Sequence, residues 1–290
     1  MVENLHGQVP IGRELTQLGL DGIVRQAGKG FGVWLTEAEK NLGGIKQEWV
    51  SSVAALARKG RKVRFADAGC GNGNAAIPFI REFAQLRYGV EAQLIDLQPT
   101  AITEARENIA HSRLPQSVLV GLRVGDVTDL PFASASQDGI ISESVLGWLG
   151  AKENIDAALR SFTRVLTPGG YAYLNVMTPY NRSCLVNIGN KSTEERLSEV
   201  QETLDIHPDE PYLFHNPKYT DEFGQPRPVL YLTEPALSRM LASVGLTVVQ
   251  SEYVRNKKLS NGLNDIDPLT ASYKFPENLS VIARKINHQL

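Results

Sequence analysis

From residue 62 onward the chain alternates short apolar, β-branched runs with longer stretches in which apolar side chains recur three and four positions apart. The first pattern predicts strands and the second amphipathic helices, because side chains alternate faces along a strand and return to one face of a helix about every 3.6 residues. Residues 62–68 (KVRFADA) predict a first strand, and 74–86 a helix carrying Ile77, Ile80, Phe83, Ala84 and Leu86. Further strands are expected at 90–96, 118–124 and 138–144, with a helix at 100–110. Ile155, Ala158, Leu159, Phe162, Val165 and Leu166 mark one face of another helix. It stops at Thr167-Pro168-Gly169-Gly170, where proline lacks a donor and glycine accepts an unusual φ. A fifth strand follows at 171–177. Thr233 is expected as an N-cap and Pro235 as an early helical residue, with Leu237, Met240, Leu241 and Val244 as the stripe and Gly245 closing the helix. Strands at 246–254 and 279–283 complete a set of seven.

Strands alternating with helices imply βαβ units and a parallel sheet. Two stretches break the rhythm: about 55 residues at 178–232, and 255–277. Connections that long are usually lids or binding elements. The first 60 residues are also extra, with Gly28, Gly30 and Gly32 ahead of a helix-like stretch at 36–57. The expectation is therefore an α/β fold: a seven-strand, mostly parallel sheet flanked by helices, a helical N-terminal cap over 1–60, and a main domain over 61–290 with a lid inserted at about 178–232.

Composition narrows the function classes. Thirty Lys+Arg against 32 Asp+Glu leave a formal charge of −2, so no strong field draws this chain to nucleic acid or to an anionic membrane. With 42% hydrophobic and 21% charged residues, disorder is excluded and a sizeable core is available. Cys70 and Cys184 fall in unlike contexts and suggest neither a disulfide nor a metal framework. No basic segment leads into an apolar core at the N-terminus, and no window approaches ~18 unbroken apolar residues. These features predict a cytoplasmic protein with no nucleic acid, no membrane and no metal.

The most informative stretch is Asp67-Ala68-Gly69-Cys70-Gly71-Asn72-Gly73, where a strand ends in a carboxylate and turns through alternate glycines into a helix. Such a loop lets backbone approach a ligand and aims free N–H groups at it. The third glycine comes one position earlier than in the dinucleotide fingerprint, where Asn74 stands instead. A carboxylate at 67 repels a pyrophosphate but attracts an ammonium or sulfonium, so the ligand is expected to be cationic at that end. Asp96 ends the second strand 23 residues after Gly73, where a carboxylate can accept hydrogen bonds from vicinal ribose hydroxyls. Asp126, after the third strand, can accept from the exocyclic amine of adenine while apolar neighbours sandwich the ring.

Taken in order, these segments resemble the class I S-adenosylmethionine-dependent methyltransferases, and within them the small-molecule branch typified by ubiquinone and menaquinone biosynthesis. DAGCGNG at 67–73 is similar to the first motif of that family, LIDLQ at 94–98 to the second, GDVTDLPF at 125–132 to the third and DGIISESVLGWL at 138–149 to the fourth, while LTPGGYAYL at 166–174 looks like the turn before strand five. The resemblance implies a Rossmann-like fold with S-adenosylmethionine as cofactor and S-adenosylhomocysteine as product. It assigns Asp67, Gly69, Gly71 and Gly73 to the methionine part, Asp96 to the ribose, Asp126 and Val127 to the adenine, Ser142 and Glu143 to the border of the methyl group, and places Leu97 among the cofactor-binding residues. The implied activity is methyl transfer to an oxygen, nitrogen or carbon of a small molecule. A protein or RNA acceptor, and a protein that binds the cofactor without methylating, remain as alternatives. Neither 1–60 nor 178–232 matches any motif of the family.

Candidate bases come from less patterned positions. His215 and His207, in the long insertion, are candidates because imidazole as a class can exchange a proton near neutral pH. Glu143 is the other candidate, with an exposed strand-end carboxylate as the plainer reading. Tyr212, Phe214, Tyr219, Phe223 and Tyr231 can line an apolar pocket or simply pack the lid, and Trp148 reads as core or pocket wall. His215-Asn216-Pro217-Lys218-Tyr219 is similar to the Asn-Pro-Pro-Tyr signature of base-amine methyltransferases but stands in the wrong place, because Ser142-Glu143-Ser144-Val145 follows the fourth strand. The basic run Arg58, Lys59, Arg61, Lys62, Arg64 is expected to be a solvated face.

Overall fold

The computed structural model describes residues 42, 44–57, 61–178, 210–220, 226–254 and 278–286. Along these the chain runs α1 (Ile45–Leu56), β1 (Val63–Ala68), α2 (Ala76–Gln85), β2 (Val90–Asp96), α3 (Pro99–His111), β3 (Val118–Val124), β4 (Gln137–Glu143), α4 (Lys152–Val165) and β5 (Leu166–Met177). It continues with β6 (Tyr212–Thr220), β7 (Pro226–Tyr231), α5 (Glu234–Ser243), β8 (Leu246–Val254) and β9 (Asn278–Lys285). Short 3₁₀ turns at Val127–Asp129 and Leu146–Leu149 follow β3 and β4.

Seven of these strands form one sheet in the order β3-β2-β1-β4-β5-β9-β8, with β9 antiparallel to both neighbours and the remaining pairs parallel. The strand order reverses between β1 and β4. Loops leaving those two strands therefore diverge, and the crevice they open is where sheets of this kind bind ligands. Five of the six residues of β1 are buried, as expected of a strand covered on both faces.

Each face of the sheet carries its own core. Ala66, Ala68, Ile140, Leu174 and Val176 meet the apolar stripe of α4, namely Ile155, Leu159, Phe162 and Val165, together with Leu237 and Leu241 of α5. Phe65, Ile141 and Tyr173 face α1 and α2 on the other side. Trp49 anchors α1 there: it is fully buried, edge-on to Phe65, Phe79 and Phe83 at centroid distances of 5.9, 5.3 and 5.9 Å, and its Nε1–H donates to the Tyr171 carbonyl at 3.3 Å. Truncating a core ring of this size typically costs ~3–5 kcal/mol, so α1 is held firmly.

Three details differ from the sequence reading. The Thr167-Pro168-Gly169-Gly170 turn does end α4, yet Leu166 already pairs with Gln137, and the turn becomes an irregularity inside β5 before Tyr171 pairs with Gly139. Within the long insertion, β6 and β7 form a separate antiparallel hairpin. It is tied to the sheet by the Leu232 N–H donating to the Met177 carbonyl at 2.9 Å, and Val229 and Tyr231 are buried against Trp148 and Met177. The basic run is not wholly a solvated face. Arg61 and Arg64 turn inward to Asp138 at 2.6 and 3.7 Å, because that aspartate is fully buried at the start of β4 and needs cations. A cavity of about 310 Å³ lined by Leu56, Arg61, Asp138, Thr167 and Pro168 lies beside this cluster, at the N-terminal ends of the strands. As expected, Thr233 caps α5, its hydroxyl accepting from the Ala236 N–H at 3.2 Å. Among the described residues, no helix is long and apolar enough to cross a membrane.

Candidate active site

The C-terminal ends of β1, β2 and β4 converge on a group of carboxylates. Residues two apart on a strand share a face, so Asp67 follows Phe65, Asp96 follows Leu94 and Glu143 follows Ile141, all on the side covered by α1 and α2. Ser142 is on the opposite face, fully buried, with its Oγ donating to the Ala68 carbonyl at 3.1 Å. It stitches β1 to β4 rather than presenting a free hydroxyl.

The glycine loop is clamped to β2. Gly69 and Cys70 both donate to the Ile95 carbonyl at 2.8 Å, Gly71 N–H donates to Asp96 Oδ2 at 2.8 Å, and Gln98 N–H to Asp96 Oδ1 at 2.9 Å. Asp96 thus fastens the loop after β1 to the start of α3. The carboxylate keeps accepting capacity for a further donor. Burial raises the Asp96 pKa, opposed by the N–H groups of Gln98, Gly71 and Leu97. Leu97 is half-buried beside it.

Two glycines of the loop do different jobs. Gly69 adopts φ +83° and packs so tightly that a Cβ would stand 2.4 Å from Val145 Cγ2. Gly71 adopts φ +52°, and a Cβ there would meet nothing within 4 Å. The first closes the turn against the next loop, and the second faces open space that a ligand can fill. Gly73 lies against Ala105 and Leu94, where α3 crosses the loop. Cys70 is buried among the apolar side chains under the loop, and burial pushes its thiol up, out of the reactive range.

Asp67 is the least solvated member, 1% exposed, and its Oδ2 has no hydrogen-bond partner among the described residues. Burial holds its carboxyl well above the usual range, the charges of Glu143 and Asp96 add to that, and Lys46 opposes it. Glu143 pairs with Lys46, Nζ to Oε1 at 2.8 Å, and the same ammonium lies over the rings of Phe79 and Tyr173. The chain then turns sharply: Ser144, a non-glycine residue, holds φ +57° and donates its N–H to the Asn175 carbonyl at 2.8 Å. A left-handed non-glycine residue costs of order 1–3 kcal/mol and persists where the surroundings impose it. Here it swings Val145 onto Gly69 and leaves Glu143 at the rim.

At the neighbouring strand end, Gly125 N–H donates to the Asp96 carbonyl at 2.9 Å, which seats the loop after β3 beside that after β2. Asp126 Oδ1 accepts from the Thr128 N–H at 2.8 Å, leaving its other oxygen for a ligand amine. Val127 turns its side chain into the core on the α4 face, so only its backbone can face a ligand. His215 sits in β6, paired in register with Pro228, but its side chain is outside the described residues, as are His207 and the side chains of Tyr212, Phe214, Tyr219 and Phe223. The structure therefore brings together Asp67, Gly71, Asp96, Leu97, Asp126 and Glu143, and sets Ser142 apart. Lys46 and Ser144 were not legible as site residues: Lys46 arrives by the packing of α1, and a left-handed serine has no sequence signature.

Residues 66–174 match the family model described as a methyltransferase domain, a span running from β1 into β5 that contains every strand end of the cluster. From β1 into β5 the chain is thus similar to methyltransferase domains. Over 123 residues it is 34% identical to the malonyl-[acyl-carrier protein] O-methyltransferase of Erwinia pyrifoliae, covering 42% of this chain and 40% of the relative. It thus spans about two fifths of that relative's length. Among solved structures, a methyltransferase of Methanosarcina mazei superposes with a TM-score of 0.57 at 16% identity, over 85% of this chain and 99% of its own. The 1,6-didemethyltoxoflavin-N1-methyltransferase of Burkholderia thailandensis, solved with its substrate and S-adenosylhomocysteine, gives 0.53 at 19% identity over 92% of this chain and 87% of its own. These two likenesses show that the chain has the expected Rossmann-like fold.

The two glycines yield opposite expectations. Gly69→Ala adds steric overlap to left-handed strain and is expected to lower stability by about 2–4 kcal/mol in urea unfolding. Gly71→Ala costs only the strain, about 1–2 kcal/mol, but places a methyl group in the ligand's space and weakens S-adenosylhomocysteine binding in calorimetry. If Gly71→Ala binds like the parent protein, the cradle is misassigned.

Asp67 makes stability and binding respond oppositely to pH. Its carboxyl holds a proton to higher pH in the folded than in the unfolded chain. Stability of the ligand-free protein therefore falls as pH rises above about 4 and through the elevated native range. Affinity for a cationic ligand rises over the same interval, because the ligand favours the ionised form. Asp67→Asn is expected to raise the melting temperature at pH 8, to flatten both dependences and to weaken the cofactor. A melting temperature that drops at pH 8 would contradict the buried-charge account.

Proposed function

We propose that the protein transfers the methyl group of S-adenosylmethionine to an oxygen, nitrogen or carbon of a small-molecule acceptor and releases S-adenosylhomocysteine. The observation that carries this reading is the buried Asp67 carboxyl, with an oxygen lacking a partner among the described residues, beside the open space at Gly71 and the clasp at Asp96. A cationic amino-acid end suits Asp67, a ribose suits the remaining accepting capacity of Asp96 with Leu97 alongside, and an adenine suits Asp126 and the backbone of Val127. Gly69 and Gly73 shape the loop, and Ser142 positions the end of β4 by holding Ala68.

In the reaction the acceptor's lone pair attacks the sulfonium methyl carbon in line with the carbon–sulfur bond, which breaks with its electrons passing to sulfur. The protein's part is placement and exclusion of water, and well-oriented reactions show that placement can contribute about 7–11 kcal/mol. An acceptor with an acidic O–H is already ionised at neutral pH. One with a high pKa needs its proton taken, for which Glu143 at the β4 rim and His215 in the hairpin are the candidates. The first 60 residues act as a cap and 178–232 as the acceptor lid in this reading, which the packing of α1 and of the β6–β7 hairpin supports. A small-molecule acceptor agrees with the near-neutral charge and with the named acceptor of the Burkholderia enzyme. No nucleic acid or membrane enters the reading, and the expected location is cytoplasmic.

The test is incubation with methyl-labelled S-adenosylmethionine and a host extract separated into small-molecule, protein and RNA fractions. Label is expected in the small-molecule fraction. Label confined to protein, including acylated carrier protein, or to RNA would replace the acceptor class, and binding without any transfer would replace the activity.

A further inference from the structure

Lys46 reaches the carboxylate cluster from α1, which lies outside the span matched by the methyltransferase model. Its ammonium is 2.8 Å from Glu143 Oε1, 5.5 Å from the centroid of Phe79 and 5.7 Å from that of Tyr173. The helix that carries it is fixed at both ends of its first turn. Trp49 is buried among three phenylalanines, and Ile45 N–H donates to Glu252 Oε2 at 3.4 Å. The Lys46 side chain is 31% exposed and pairs with Glu143 as an ion pair, Glu143 Oε1 having no hydrogen-bond partner among the described residues, so the three ammonium donors are available to a ligand. Beside the pair stands Asp67, 1% exposed, with Oδ2 unpartnered among the described residues and close enough for Lys46 to oppose its protonation.

One ammonium is therefore paired with Glu143 and near enough to act on Asp67, and the space beside Gly71 is open. An α-amino acid presents the complement of that arrangement: an ammonium for the carboxyls and a carboxylate for the lysine. Asp67, Asp96 and Glu143 alone would repel a ligand carboxylate, and Lys46 is the cation that the described residues place among them. We propose that Lys46 is a binding residue that receives the carboxylate of the cofactor's amino-acid end while Asp67 and Glu143 receive its ammonium, so that the site selects adenosyl ligands that retain both charges. The proposal rests on the cofactor reading above. In the ligand-free protein the Lys46–Glu143 pair keeps both groups in the positions the ligand requires.

Calorimetric titration of the full chain with S-adenosylmethionine and with decarboxylated S-adenosylmethionine separates this from a merely structural lysine. The parent protein is expected to bind S-adenosylmethionine more tightly, by about tenfold or more, the change expected when a charge-assisted hydrogen bond is lost. Lys46→Met is expected to erase that preference, weakening S-adenosylmethionine while leaving the decarboxylated ligand unchanged or tighter, and Lys46→Arg to restore most of it. A parent protein that prefers the decarboxylated ligand overturns the proposal even if Lys46→Met fails to fold, since a site that is only acidic favours the ligand that has lost its negative charge. Equal weakening of both ligands in Lys46→Met, with unchanged melting temperature, overturns it too. If the parent binds neither S-adenosylmethionine nor S-adenosylhomocysteine, the cofactor reading itself fails first.

Discussion

A carboxyl group removed from water holds its charge only with a cation or strong donors nearby, and Asp67 is the group that sets this constraint at the candidate site. It closes β1 at the reversal point of the sheet, almost entirely buried, with Glu143 and Asp96 adding negative charge to its surroundings. A hydrophobic residue there would suit the fold better. The arrangement makes sense as a site kept short of positive charge until a cationic ligand supplies it, with Lys46 as partial compensation meanwhile.

The rest of the architecture holds that group in place. Asp96 uses both carboxylate oxygens to tie the glycine loop and the start of α3 into one unit. Gly69 lets Val145 close over the loop, and the strained Ser144 turn makes that approach possible from the β4 side. The two cores fix the strands from both faces, so the strand ends do not have to be ordered by the ligand. Helix α1 belongs to this support, because Trp49 locks it into the core on the face of the sheet that carries Asp67 and Glu143.

What could be read from the chain depended on how local its cause is. Strand runs such as 90–96 and 118–124, the Thr233 cap and the glycine turn follow from neighbouring residues, and all appear where expected. The hairpin within 178–232 was not foreseen, because Pro217 and Pro228 break the alternation that marks a strand. Arg61 and Arg64 were misjudged because only the folded sheet shows the buried Asp138 they serve. Asp67, Asp96 and Asp126 stand out in the sequence as carboxylates at strand ends, and the structure brings them together, whereas the task of Asp96 as a clasp and the arrival of Lys46 depend on long-range packing.

The measurement that bears most directly on this account is a crystal structure of the complex with S-adenosylhomocysteine. The account predicts both ribose hydroxyls within hydrogen-bond reach of Asp96, the amino group turned toward Asp67, and the amino-acid part crossing the open space at Gly71. A ligand seated elsewhere, or one whose ribose and amino group leave Asp96 and Asp67 untouched, would contradict it.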